Sequence, residues 1–278
     1  MCRRLTQLIN PIHNIYSSTE VDSTERVSPR SRIMGLVRVV ESAVRAATVC
    51  FPMLFAAHPR TPLRVLGITT FEYLARLRGT TLGRRRRYAM ALACDFASLR
   101  DDYYDHKTLD VAKLRSLRRE LRGMVSGAAI LRYTRHLRYT ERNRPVLPMV
   151  TSGVREAAIA YRARVLDLTL QWLNTISGMN VDELKYCSFL DVACLLQIAD
   201  DLLDWKDDQA LQCPSYVTVF LLNPQSAEAA TSLRSYADAL LNRTKDTARQ
   251  DADAVPFAIA AALTWAFIIA LLRVQFPR

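Results

Sequence analysis

An all-α fold is the prediction for this chain, and three observations carry it. Ala, Leu and Arg are abundant while 278 residues hold only 8 glycines, a mix that suits helices and supplies little hairpin chemistry. Strand-like alternation of apolar and polar residues is scarce. Apolar residues instead recur at three- and four-residue steps between Gly and Pro breaks. With 50% of the residues apolar, the chain can bury one substantial core, so a single helical domain over 33–278 is expected behind a poorly ordered segment, 1–32.

Residues 1–32 mix Ser, Thr, Arg, Pro and acids without a sustained apolar period. They lack the apolar run of a secretory signal, and Glu20, Asp22 and Glu25 argue against an organellar transit peptide. From 33 to about 57 the pattern Met34, Val37, Val40, Val44, Ala47 predicts a helix, kinked at Pro52 and closed before Pro59. Helices follow at 62–78 and 84–106, separated by Gly79 and Gly83. Further helices are predicted at 109–122, 126–140, 148–175 and 182–208, with breaks at Gly123, Pro145 and Gly178. Pro214, Asn223 and Pro224 mark loops, and 226–248 and 254–273 close the series. The last of these is apolar over about nineteen residues, long enough to span a bilayer. A helix apolar all round equally suits the buried centre of a bundle or a membrane-apposed position, and Pro256 and the Ala-rich stretch favour those two.

A net charge of +11 raises the question of nucleic acid, but the charge is polarised. Arg84, Arg85, Arg86 and Arg87, and then Arg132, Arg135, Arg138, Arg142 and Arg144, are basic, whereas 182–208 is acidic. No helix-turn-helix, zinc-finger or aromatic RNA-binding signature accompanies the arginines, so no nucleic-acid partner is expected. They form either a solvated basic face or an attractive field for anionic diphosphates. The six cysteines lack a Cys-x-x-Cys pair, and Cys187 and Cys194 sit inside apolar helical pattern, as buried thiols of a reducing cytoplasm do. The four histidines show no metal-ligand spacing. Gly-rich phosphate loops and a Gly-x-Ser-x-Gly elbow are absent.

Two copies of one acidic pattern stand out: Asp101-Asp102-Tyr103-Tyr104-Asp105, and Asp200-Asp201-Leu202-Leu203-Asp204 followed by Asp207 and Asp208. On helices, residues four apart share a face, which groups Asp101 with Asp105, and Asp200 with Asp204 and Asp208. Like charges so spaced repel unless a cation collects them. Carboxylates suit Mg²⁺, which is typically held by one or two of them together with substrate phosphates. Two facing Asp-rich walls thus read as a cradle for metal-bound diphosphate, against the plainer alternative of two solvated acidic helix ends.

The run Gln197-Ile198-Ala199-Asp200-Asp201-Leu202-Leu203-Asp204 resembles the second Asp-rich motif of trans-prenyltransferases, and the upstream Asp-Asp-Tyr-Tyr-Asp resembles the first. Together with the helical pattern they make the chain similar to the class I isoprenoid synthases. That resemblance implies an antiparallel helix bundle with a central apolar pocket. It implies Asp101, Asp105, Asp200 and Asp204 as catalytic residues, ligating Mg²⁺ together with Asp208, with three ions bound alongside the substrate diphosphate. Gln197 matches the family's glutamine and would orient a metal-bound water or a carboxylate. Class I cyclases place a diphosphate-sensing Arg some forty to fifty residues before the second motif; Arg155 lies in that interval and Arg162 just past it. Lys206 would close over the phosphates. An exposed basic face is the alternative for the two arginines. The resemblance would also set Tyr103 and Tyr104 at the pocket mouth, with helix packing as the alternative, and Gly178 at a kink that exposes a carbonyl to the cation, with an ordinary loop glycine as the alternative.

The arginine segments of chain-elongating enzymes are absent, and His106-Lys107-Thr108-Leu109 follows the first motif. Ionisation of one substrate is therefore favoured: a class I terpene synthase acting on a linear prenyl diphosphate of farnesyl or geranylgeranyl type. The Asn-Ser-Glu type of second motif common in cyclases is also absent. A prenyl diphosphate synthase or a squalene- or phytoene-type condensing enzyme is the alternative enzyme, and an inactive regulatory subunit the alternative non-enzyme. A cytoplasmic location is expected, with peripheral membrane contact and a homodimer left open.

Overall fold

The computed structural model describes residues 29–53, 61–106, 110–145, 152–179, 181–220 and 227–276. All regular structure among them is helical. The helices are α1 (Pro29–Met53), α2 (Thr61–Leu77), α3 (Arg84–His106), α4 (Val111–Arg122) and α5 (Gly127–Arg142). They continue with α6 (Ser152–Ser177), α7 (Glu183–Ala210), α8 (Tyr216–Phe220), α9 (Ala227–Gln250) and α10 (Val255–Gln275), the last entered through a 3₁₀ turn, Ala252–Ala254.

Local chemistry explains several of the boundaries. Asp110 and Asp182 cap α4 and α7, each accepting a backbone N–H three residues on, from Lys113 and Lys185. Gly178, at φ 67°, follows the last residue of α6 in the left-handed region that favours glycine. The predicted start of α6 at 148 lies outside the described residues, and two other features depart from the sequence reading. α1 begins at Pro29 instead of 33, and proline's fixed φ suits the first helical position. α8, in a stretch read as loop, arises because Ser215 and Thr218 cap it reciprocally: the Ser215 N–H donates to the Thr218 hydroxyl (2.8 Å) and the Thr218 N–H to the Ser215 hydroxyl (3.2 Å). The poorly ordered segment expected over 1–32 lies, up to residue 28, outside the described residues.

The chain divides into two compact units. One comprises Ile33–Arg142 and Asp167–Val181; the other comprises Asn143–Leu166 and Asp182–Arg278. In the first unit Ile68, Phe71, Met90, Phe96, Leu121 and Leu137 are buried. Tyr133 stacks on Trp172 at 4.1 Å between ring centroids, and Phe96 meets the same indole edge-on at 5.6 Å. Gly67 allows α2 close to Leu173, since a Cβ there would stand 3.2 Å from Leu173 Cδ1. Buried charges are paired: Arg64 with Asp95, and Glu72 with Arg45, Arg76 and Arg87.

In the second unit α7 packs against α8, α9 and α10. Phe189, Leu195, Tyr216, Leu240, Phe257 and Ile268 belong to its core, and Asp191 accepts two hydrogen bonds from the Arg243 guanidinium at 2.8 and 3.2 Å. Cys50, Cys94, Cys187, Cys194 and Cys213 are buried free thiols, and burial pushes the Cys94 thiol up to about 12.

Candidate functional site

The second Asp motif sits towards the end of α7, a helix whose middle is buried. From Cys187 to Leu195 every residue of α7 is buried, so the helix axis is held by its apolar face before the acidic stretch begins. A helix that enters solvent at its C-terminal end must then turn one of two adjacent aspartates inward and the other outward. Asp201 is the inward one, 2% exposed; Asp200 faces solvent.

Asp201 is fully engaged by donors. Its carboxylate accepts Gln197 Nε2 at 2.7 Å, Arg162 Nη2 at 3.2 Å and the Tyr216 backbone N–H at 2.6 Å. One carboxylate thereby ties α7 to α6 and to the start of α8. The sequence reading singled out Asp200, Asp204 and Asp208 around it but gave Asp201 no role; the signal was the second Asp of the pair, which lies one turn after Gln197 on the face that continues the apolar stripe.

Asp204 breaks the helix. Its φ of −119° and ψ of 17° are non-helical, so the single face expected for Asp200, Asp204 and Asp208 is interrupted there. Asp204 is exposed and Asp208 half-buried. Burial pushes the Asp208 carboxyl up to about 7; Asp201 and Asp204 add to the rise, while a hydrogen bond from Ser215 and the Arg162 charge oppose it. Burial likewise raises Asp204, reinforced by Asp200 and Asp201 and opposed by Arg162. Burial pushes Asp201 up as well, against the pull of Arg162, Gln197 and the Tyr216 N–H.

A carboxyl raised from the usual value of about 4 stabilises the fold while protonated, and that contribution is lost as pH rises through its folded value. Asp208→Asn should therefore flatten the decline in thermal midpoint between about pH 4 and pH 7, and raise the midpoint at pH 8 but not at pH 4. Parallel melting profiles for the two proteins would contradict the crowding of these carboxylates.

Among the described residues no three His, Cys, Asp or Glu side chains converge as a preformed metal cage. The residues still fit Mg²⁺, which takes one or two carboxylates and completes its octahedron with water and phosphate oxygens. Asp200 reaches solvent one turn before the kink and Asp204 at the kink itself, and Arg162 tempers all three raised carboxyls.

The remaining candidates are distributed as follows. Arg162 is the partner of Asp201, and its side chain is 12% exposed. Arg155 lies on α6 with its side chain outside the described residues. Lys206 is exposed, its ammonium 5.8 Å from the centroid of the Trp205 ring. It lines an open cleft of about 510 Å³ with Leu203, Asp204, Trp205, Val274 and Gln275. In the other unit Asp101 and Asp105 are half-buried in the last turns of α3. Tyr103 meets Tyr104 edge-on at 5.3 Å, and Arg100, unremarked in the sequence reading, reaches the Tyr104 hydroxyl at 3.4 Å with its guanidinium 5.7 Å from that ring's centroid. Neither a protein-family model nor a curated protein sequence matches this chain.

Proposed function

We propose that this protein is a Mg²⁺-dependent class I isoprenoid synthase of the terpene synthase type, ionising a linear prenyl diphosphate of farnesyl or geranylgeranyl length. The observation that supports the reading best is the motif at the end of α7, where Asp200 and Asp204 reach solvent around a buried Arg162–Asp201–Gln197 core. A solvated acidic helix end needs no such core.

In this reading Asp200 and Asp204, with Asp208, would ligate Mg²⁺ in their unit, and Asp101 and Asp105 would ligate Mg²⁺ in theirs. When bound, Mg²⁺ neutralises the diphosphate leaving group. The bond between the allylic carbon and the diphosphate oxygen breaks, and its electron pair leaves with the diphosphate. The allylic cation then loses a proton to the released diphosphate to give a hydrocarbon, or adds water, whose extra proton passes to the diphosphate, to give an alcohol. Gln197 holds the carboxylates in place, and Arg155, Arg162 and Lys206 donate to the departing oxygens. The protein acts in the cytoplasm, where the apolar face of α10 meets the membrane.

Incubation of the purified protein with Mg²⁺ and each C10 to C20 prenyl diphosphate, with and without isopentenyl diphosphate, tests the reading. A hydrocarbon or alcohol from one substrate is the expected product; a longer diphosphate would indicate an elongating enzyme, and no reaction an inactive subunit. Asp200→Ala and Asp101→Ala should each lower diphosphate release roughly a hundredfold or more, equivalent to about 3 kcal/mol of barrier, with an unchanged circular dichroism spectrum. Full turnover by Asp200→Ala would end the proposal.

A further inference from the structure

Helix α1 is apolar on two opposite sides. One side is buried, through Ser42, Ala46, Val49 and Cys50. The other turns Ile33, Val37, Val40, Val44 and Ala47 to solvent, with Ile33 61%, Val40 63% and Val44 59% exposed. The steps between these five residues are four, three, four and three. That repeat averages 3.5 residues and keeps a narrow seam in line along a helix, whereas a water-facing side normally carries charge.

We infer that this seam is a homodimer interface, packed against α1 of a second copy of the chain. The spacing is the first argument, because alternating three- and four-residue steps are what interdigitating helices require. Area is the second. With Met34 and Leu36 at its margin, the seam offers on the order of 500 Å² per copy, so a pair reaches the roughly 1,000 Å² at which specific interfaces begin. Charge is the third. Helices that lie in a lipid surface carry Lys and Arg beside the apolar face. Here Arg45 is 3.6 Å from the buried Glu72, and Glu41 on the margin is paired with Arg76, so both charges have partners on α2. A two-fold axis across the seam makes the contact isologous. Four of its five side chains are Ile or Val, whose stiff χ1 leaves little rotamer freedom to lose on packing.

Sedimentation velocity on the full-length protein at micromolar concentration tests this. A dimer is expected. The Val40→Asp/Val44→Asp double variant should raise the dissociation constant roughly a hundredfold or more while keeping its circular dichroism spectrum, since both positions face solvent in the single chain. Should that variant aggregate, Val40→Cys decides. Mild oxidation should link it into a covalent dimer on a non-reducing gel, and should not link Tyr139→Cys, at an exposed position on α5. A wild-type chain that stays monomeric, a dimer that survives both aspartates, or a monomer whose seam variants lose only binding to phosphatidylglycerol vesicles would each overturn the inference.

Discussion

Asp201→Ala should lower the unfolding free energy by about 3 to 5 kcal/mol, whereas Asp200→Ala, one residue earlier, should change it by less than about 0.5 kcal/mol. The contrast follows from burial and partners. Asp201 is 2% exposed and takes hydrogen bonds from Arg162, Gln197 and the Tyr216 N–H; its removal takes a carboxylate from a largely buried guanidinium and the acceptor from a buried backbone donor at once. Asp200 is exposed, and its loss relieves repulsion among the neighbouring carboxylates. Urea unfolding without divalent cations measures both. Arg162→Ala should resemble Asp201→Ala, and Lys206→Ala should resemble wild type. An Asp201→Ala protein with an unchanged midpoint would remove the buried core from the account of this site, whatever its activity.

Deletion of α10 from Val255 onward should abolish cooperative folding of its unit. Phe257, Ile268, Ile269 and Leu272 are buried on one side of the helix, and each contributes on the order of 2 kcal/mol, together about as much as the net stability of an ordinary domain. The Trp265 indole N–H also donates to Asp238 of α9. The opposite side tells a different story. The stretch Ala252–Gln275 has a mean hydropathy of 2.3 over its most apolar window, of which 28% is buried, and Ile259, Leu263 and Phe267 face outward. Leu263→Ser/Phe267→Ser should therefore leave the thermal midpoint within a degree or two while weakening co-sedimentation with lipid vesicles. A soluble, cooperatively folded chain ending at residue 254 would make the segment an anchor with no part in the core.

The helices themselves were legible in the sequence because periodicity and punctuation are local. Arg84–His106 is found where it was predicted, and α4, α5, α7, α9 and α10 begin and end within two residues of their predicted limits. The two Asp motifs and the glutamine before the second were equally plain, since residue type and spacing are all they consist of. What neighbours in space decide was not legible. α8 depends on a reciprocal cap and on the burial of Tyr216 and Phe220 in a packed unit. The kink at Asp204 separates three aspartates that helical spacing alone would align. Both α1 and α10 carry apolar residues on opposite sides, and composition cannot say which side a unit will cover. By itself, then, the sequence determined an all-helical chain with two acidic motifs at helix ends. Only the tertiary structure decided that Asp201 is an anchor while Asp200 and Asp204 face water, because which of two adjacent carboxylates is desolvated depends on the donors that other segments bring to it.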